Sequence, residues 1–205
     1  MPTPTFLPRR AAVSLGLLLL LLATTSPASA ITVRAAGLPE LIEGSELIVE
    51  GQVVAVRSVA LDMAPGLFTD YAIAVHTVHK GSPSDRVWVR VPGGKGEEHT
   101  VVVEGMPTLK LHSSVLLMLE AQPSSVWMDA TTPSYLPLGL HQGMFERSAD
   151  GTRFIRGEAG AQLVYIVPEC TGGEHLTQFD ADTLRTNIRQ TLKHAEARER
   201  EEAAP

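Results

Sequence analysis

Two apolar, β-branched runs separated by a short break constrain this chain most. The first is Leu47-Ile48-Val49-Glu50-Gly51-Gln52-Val53-Val54-Ala55-Val56, the second Tyr71-Ala72-Ile73-Ala74-Val75-His76-Thr77-Val78. Met63-Ala64-Pro65-Gly66 lies between them, and Lys80-Gly81 closes the second run. Branching at Cβ favours extended backbone, and partial alternation suits strands lying between a core and solvent. The runs predict paired strands at 46–58 and 68–78. Gly51, inside the first, marks a bulge or tight bend.

The rest of the chain reads as strands added to this pair, then one helix. Gly37-Leu38-Pro39-Glu40-Leu41-Ile42-Glu43-Gly44 predicts a short helical turn, with Pro39 and Glu40 at its start and Gly44 ending it in a left-handed conformation. A third strand at 86–91 turns Val87, Val89 and Val91 inward and Trp88 and Arg90 outward. Pro92-Gly93-Gly94-Lys95-Gly96-Glu97-Glu98 predicts a flexible loop without an apolar anchor. A short fourth strand follows at 100–103. Val115-Leu116-Leu117-Met118-Leu119 is apolar without interruption, as a strand buried on both faces must be. A minor strand is expected at 126–128 and another at 162–167. Segments 138–147 and 152–155 predict a hairpin around Ser148-Ala149-Asp150-Gly151. From Thr177 the period lengthens: Leu184, Ile188, Leu192 and Ala195 form one helical stripe, with Asp180 or Asp182 as N-cap.

Residues 1–30 read as a signal peptide. Arg9-Arg10 precede an apolar stretch too short to span a bilayer, and Ala28-Ser29-Ala30 offers a small-x-small cleavage site. The expected organisation is a leader at 1–30, a β-domain at 31–170, and a linker, helix and charged tail at 171–205. Removing a leader with two arginines and no acid leaves 15 basic residues against 23 acidic, a net charge of −8. That balance argues against nucleic acid and anionic membrane surfaces as partners. Without the leader, no stable membrane anchor remains, so the expected location is periplasmic or secreted. Cys170 is the single cysteine, so no disulfide forms within the chain and the core must supply stability.

Three segments carry a family resemblance: Ser45-Glu46-Leu47-Ile48-Val49-Glu50-Gly51-Gln52-Val53-Val54, Val75-His76-Thr77-Val78-His79-Lys80-Gly81 and Val115-Leu116-Leu117-Met118-Leu119-Glu120. With them the chain resembles the OB-type β-barrel of netrin-like modules and tissue inhibitors of metalloproteinases. It is more similar still to exported bacterial proteins of that plan, which share a Gln-Gly-x-Phe element matched by Gln142-Gly143-Met144-Phe145. The likeness covers about 38–155. It implies a mainly β fold, a small OB-like barrel of about five to seven strands with a short N-terminal helix and a C-terminal amphipathic helix. The animal inhibitors bind the protease zinc through an N-terminal cysteine. Here the predicted mature N-terminus is Ile31, so that mechanism does not transfer.

Candidate chemistry is sparse. His76 and His79, three apart on a strand, fall on opposite faces, which is wrong for joint metal ligation. Cys170 and His175, with Glu169 and Glu174, pair a thiol with an imidazole in a glycine-containing loop. Such a pair serves as nucleophile and base or as metal ligands, yet no second Cys/His pair completes a four-ligand zinc site. No nucleophile elbow, zincin helix or phosphate loop is present, and no motif calls for a cofactor. Aromatic and arginine side chains favour interface hot spots, so Trp88 and Arg90 on an exposed sheet face are the candidate binding residues. The function expected is a non-enzymatic exported domain that binds a protein partner. Two other readings stand beside it: an inhibitor or accessory factor of a secreted protease, and a thiol-dependent enzyme using Cys170 and His175.

Overall fold

The computed structural model describes residues 32–33, 35–61, 64–103, 105–106, 108–121, 134–156, 164–165 and 177–203. All belong to one compact unit, Ile31–Pro205. The expected leader, the strand at 126–128, Trp127, Cys170 and His175 lie outside the described residues. In chain order the elements are β1 (Thr32–Val33), α1 (Leu38–Gly44), β2 (Leu47–Leu61), β3 (Ala64–Lys80), β4 (Arg86–Pro92), β5 (Gly94–Lys95), β6 (Thr100–Val101), β7 (Ser114–Ala121), β8 (Ser134–Pro137), a 3-10 turn (Leu140–Gly143), β9 (Met144–Arg147), β10 (Arg153–Arg156), β11 (Val164–Tyr165), β12 (Gln178–Asp180) and α2 (Ala181–Glu202).

The β2–β3 pair organises the molecule as its sequence predicts, and runs further than expected, from Ile48 opposite Lys80 to Leu61 opposite Ala64. Its register shifts between Glu50 and Gly51. A side chain at Gly51 would collide with the Ala74 carbonyl oxygen, so glycine is what lets β3 approach there. Eight strands form one mixed sheet in the order β12-β10-β9-β7-β2-β3-β4-β8. Pairing is antiparallel throughout except β4 with β8, and β8 also pairs antiparallel with β7. From β7 the pairings therefore pass through β2, β3, β4 and β8 and return to β7.

Two apolar cores lie on opposite faces of this sheet. Val49, Val53, Tyr71, Ile73, Val87, Val89, Val91, Val115, Leu117 and Leu119 fill one. Ile48, Leu116, Met118, Phe145 and Phe154 face the other, covered by Leu38, Leu41 and Ile42 of α1 and by Leu184 and Ile188 of α2. β7 serves both with alternate residues, so its uninterrupted apolar run is a consequence of having no solvent face. Each such side chain contributes about 1.5–3 kcal/mol on burial.

The ends of the helices follow local chemistry. Asp180 caps α2, its Oδ1 accepting the Thr183 N–H at 2.8 Å. Asp182 instead sits in the first turn and receives Arg185. In α1 the left-handed ending expected at Gly44 does not occur. Ser45 closes the helix in extended conformation, donating both its N–H (3.1 Å) and its Oγ–H (2.6 Å) to the Leu41 carbonyl. A hydroxyl that reaches the open carbonyl makes the glycine unnecessary.

Two loop expectations are corrected. Segment 138–147 is not all strand: Gly139 and Leu140 take left-handed φ angles of 63° and 62°, and the 3-10 turn precedes β9. Gln142 is buried there, its Oε1 accepting the Ala36 N–H at 2.8 Å. The predicted flexible loop at 92–98 is anchored. The Gly93 N–H donates to the Leu67 carbonyl (2.7 Å), Thr69 Oγ1 donates to the Gly93 carbonyl (2.8 Å), and β5 pairs with β6. Its glycines permit contact where a larger residue would hold the loop away: a side chain at Gly94 would lie 2.9 Å from the Phe68 carbonyl oxygen.

Candidate functional site

Trp88 and Arg90 lie on the face of β4 opposite Val87, Val89 and Val91, as alternation predicts, but Arg90 on that face is buried in an ion pair while Trp88 is half-buried. Arg90 is 5 % exposed and Asp70, its cross-strand neighbour on β3, 1 %. Arg90 Nε donates to Asp70 Oδ1 at 2.6 Å and its Nη2 to Oδ2 at 2.9 Å. Arg57, opposite Asp70 on β2, adds bonds to Oδ2 at 3.1 and 3.0 Å and stacks 4.2 Å from the centre of the Trp88 ring. A row of three charged residues thus crosses β2, β3 and β4, one buried carboxylate held by two guanidinium forks. Arg90 is therefore buried and not exposed as expected, whereas Trp88 on the same side is half-buried. Period two reports which side a residue takes, and burial of the charge on that side requires the acid that sits beside it.

The second charged group joins the sheet to α2. Glu50 of β2 is buried against the helix. It accepts from Arg185 Nε at 2.8 Å and Nη2 at 2.7 Å, and lies 2.9 Å from His79 Nε2 on β3. Arg185 also donates to Asp182 at 3.1 Å and lies over the Phe154 ring at 5.7 Å. Burial by itself would raise the Glu50 carboxyl, but bonds first from Arg185 and then from His79 outweigh it and hold it at about 2. Arg185 is held above its ordinary value chiefly by its hydrogen bond to Glu50, against the opposing effect of burial. The carboxylate of Glu50 thereby fastens α2 to the sheet through Arg185 and holds His79 of the neighbouring strand.

Above this clamp the second half of α2 stands away from the end of β3. A cleft of about 670 Å³ opens there, with Val78, Lys80, Leu192 and Glu199 in its walls. A smaller one of about 350 Å³, walled in part by Arg189 and Lys193, adjoins it across Leu192 and Glu196. Val78 lines both and is 46 % exposed, an apolar side chain among charged lining residues. Another cleft of about 650 Å³ lies between the β2–β3 tip and the β5–β6 turn, beside Ser58, Leu67 and Gly96.

No protein-family model and no curated protein sequence matches this chain. The site rests on its own residues. Among the described residues no group of three or more His, Cys, Asp or Glu side chains is placed to hold a metal ion. His76 is exposed and His79 turns toward Glu50, so the two do not converge. Cys170 and His175 are not among the described residues. Sequence reasoning missed Glu50, Asp70 and Arg185. The available signal was an acid inside an apolar strand run, Val49-Glu50-Gly51 and Thr69-Asp70-Tyr71, because a buried acid demands a cation.

Proposed function

We propose that this chain is an exported, non-enzymatic binding module on an OB-like β-barrel, contacting a protein partner at the groove between α2 and β3. The circuit of pairings β7-β2-β3-β4-β8 supports the barrel reading: five strands closed with one parallel junction are what a small Greek-key barrel of this kind requires. The signal-like segment at 1–30 supports export. The observation that carries the binding reading is Val78. It is an exposed apolar side chain lining an open groove between a helix and a strand, while the Glu50 carboxylate nearby is already paired with Arg185. Apolar side chains among charged neighbours in an open groove support a contact surface.

The test is affinity capture from an extract of the source organism with the natural protein and with Val78→Lys, identifying what is retained. Val78 is half-exposed in a paired strand, so the substitution changes stability by about 1 kcal/mol and leaves the fold in place. A partner retained by the natural protein and lost by Val78→Lys is the expected result. Equal retention by both forms would remove the groove from the binding surface.

A further inference from the structure

β2 outlasts its partner on one side. Its pairing with β7 ends at Gln52 opposite Ser114, and Val53 adds bonds to the Ser113 carbonyl (3.0 Å) and the His112 N–H (2.8 Å). Beyond Val53, among the described residues, β2 continues to Leu61 paired with β3 alone. Backbone direction alternates along a strand, so its open edge belongs to every second residue. On β3, Leu67 and Val75 turn away from β2: the Leu67 carbonyl accepts from Gly93 (2.7 Å) and the Val75 N–H donates to Asp85 (2.9 Å). Thr69 and Tyr71 are in phase with them. Residues opposite one another in an antiparallel ladder turn toward or away together. Val56 opposite Tyr71, Ser58 opposite Thr69 and Ala60 opposite Leu67 therefore present their N–H and C=O groups to the open side. Val56, Arg57, Ser58 and Ala60 are all exposed.

Strand edges are ordinarily guarded by charges or proline. Residues 54–61 hold no proline, and their one charge, Arg57, is turned onto the sheet, 3.0 Å from Asp70 and 4.2 Å from the Trp88 ring centre. Ser58 and Ala60 line the cleft of about 650 Å³, whose walls include Leu67, Lys95, Glu97 and Glu98. Two acids there face one lysine, and across the whole chain 23 acids outnumber 17 bases.

We propose that this edge takes up an extended segment of a partner protein as an added strand, apolar where it passes Val56 and basic where it passes Glu97 and Glu98. The open N–H and C=O groups recur about every 7 Å, the spacing of alternate residues in a strand. An extended chain meets all three residues with its own backbone, whereas a helix has already spent those groups on itself. Val56, 43 % exposed, offers an apolar contact beside that backbone. The excess of acid favours a basic segment and repels an acidic one. This surface shares no lining residue with the groove between α2 and β3 and does not rest on it.

Amide exchange followed by NMR tests this, with a capped peptide that alternates threonine with valine and lysine as the probe. In the free protein the amides of Val56, Ser58 and Ala60 exchange fast, and those of Ala55, Arg57 and Val59, directed at β3, exchange slowly. Peptide slows the first three by about tenfold or more. Ser58→Pro removes the central outward N–H without touching a β2–β3 bond, and weakens peptide binding about tenfold or more. Ser58→Ala, which loses only the hydroxyl that accepts the Lys95 N–H at 3.2 Å, binds as the natural protein does. Glutamate in place of lysine in the peptide weakens binding. Circular dichroism checks that both variants keep the fold, and if Ser58→Pro does not, the exchange pattern of the natural protein decides. Slow exchange at Val56, Ser58 and Ala60 before peptide is added would show the edge already paired and overturn the inference. So would a peptide that slows none of them, or a folded Ser58→Pro that binds as tightly as Ser58→Ala.

Discussion

Glu50 shows what one charged side chain inside an apolar strand costs and returns. Buried without a cation, a carboxylate takes up a proton; with Arg185 and His79 on its oxygens it stays ionised down to about 2. Its folded value lies below the ordinary 4.5, so its contribution to stability is complete above pH 4.5 and is lost as pH falls toward 2. Comparison of the natural protein with Glu50→Gln by urea unfolding at pH 5 therefore gives a difference of about 2 kcal/mol, after screening by solvent that reaches Arg185. The difference should shrink between pH 4.5 and 2; a gap that does not change with pH would show that the charge plays no part. His141 acts in the same direction. Burial and then nearby Arg156 lower its imidazole, so it favours the fold at neutral pH and opposes it in acid. Neither effect was legible from Glu50 or His141 alone, because each depends on a residue far along the chain.

At the level of elements, the sequence was most informative where one local rule suffices. The β2–β3 pair, the Asp150-Gly151 turn and the Asp180 cap each follow from adjacent residues, and each is present. The reading failed where the deciding partner was distant. Trp88 and Arg90 were placed on the correct side of β4, but the cover on that side depends on Asp70 and Arg57 from two other strands. The glycines at 93, 94 and 96 looked like freedom, and instead give close contact with Leu67 and Phe68. Gly51 joins the two cases, since the bulge it permits sits directly beside Glu50. Replacing Gly51 with Ala pushes a Cβ against the Ala74 carbonyl and the Ile73 side chain. The expected loss is about 1–3 kcal/mol in denaturant unfolding, the cost of overpacking. An unchanged midpoint would mean β3 can give way there.

At the scale of the whole molecule, β7 decides whether the two apolar layers are one folding unit or two. Leu117 points into the layer enclosed by β2, β3 and β4, and Leu116 into the layer covered by α1 and α2. Both are fully buried, and they are adjacent on a single strand that pairs with β2, β8 and β9. Losing either layer strips one face of the same strand, so neither layer can open without exposing apolar surface that the other still needs. Leu116→Ala and Leu117→Ala should each cost about 2–5 kcal/mol. Both should lower the midpoint of one urea transition and leave its slope unchanged, because the surface exposed on unfolding is the same. If the helical layer were a separate unit docked on a finished sheet, Leu116→Ala would split the transition, with loss of helical signal preceding loss of the Trp88 environment. A single shared transition would place the groove between α2 and β3 on a surface no more labile than the core itself, the rigidity that a contact surface built from a helix and a strand requires.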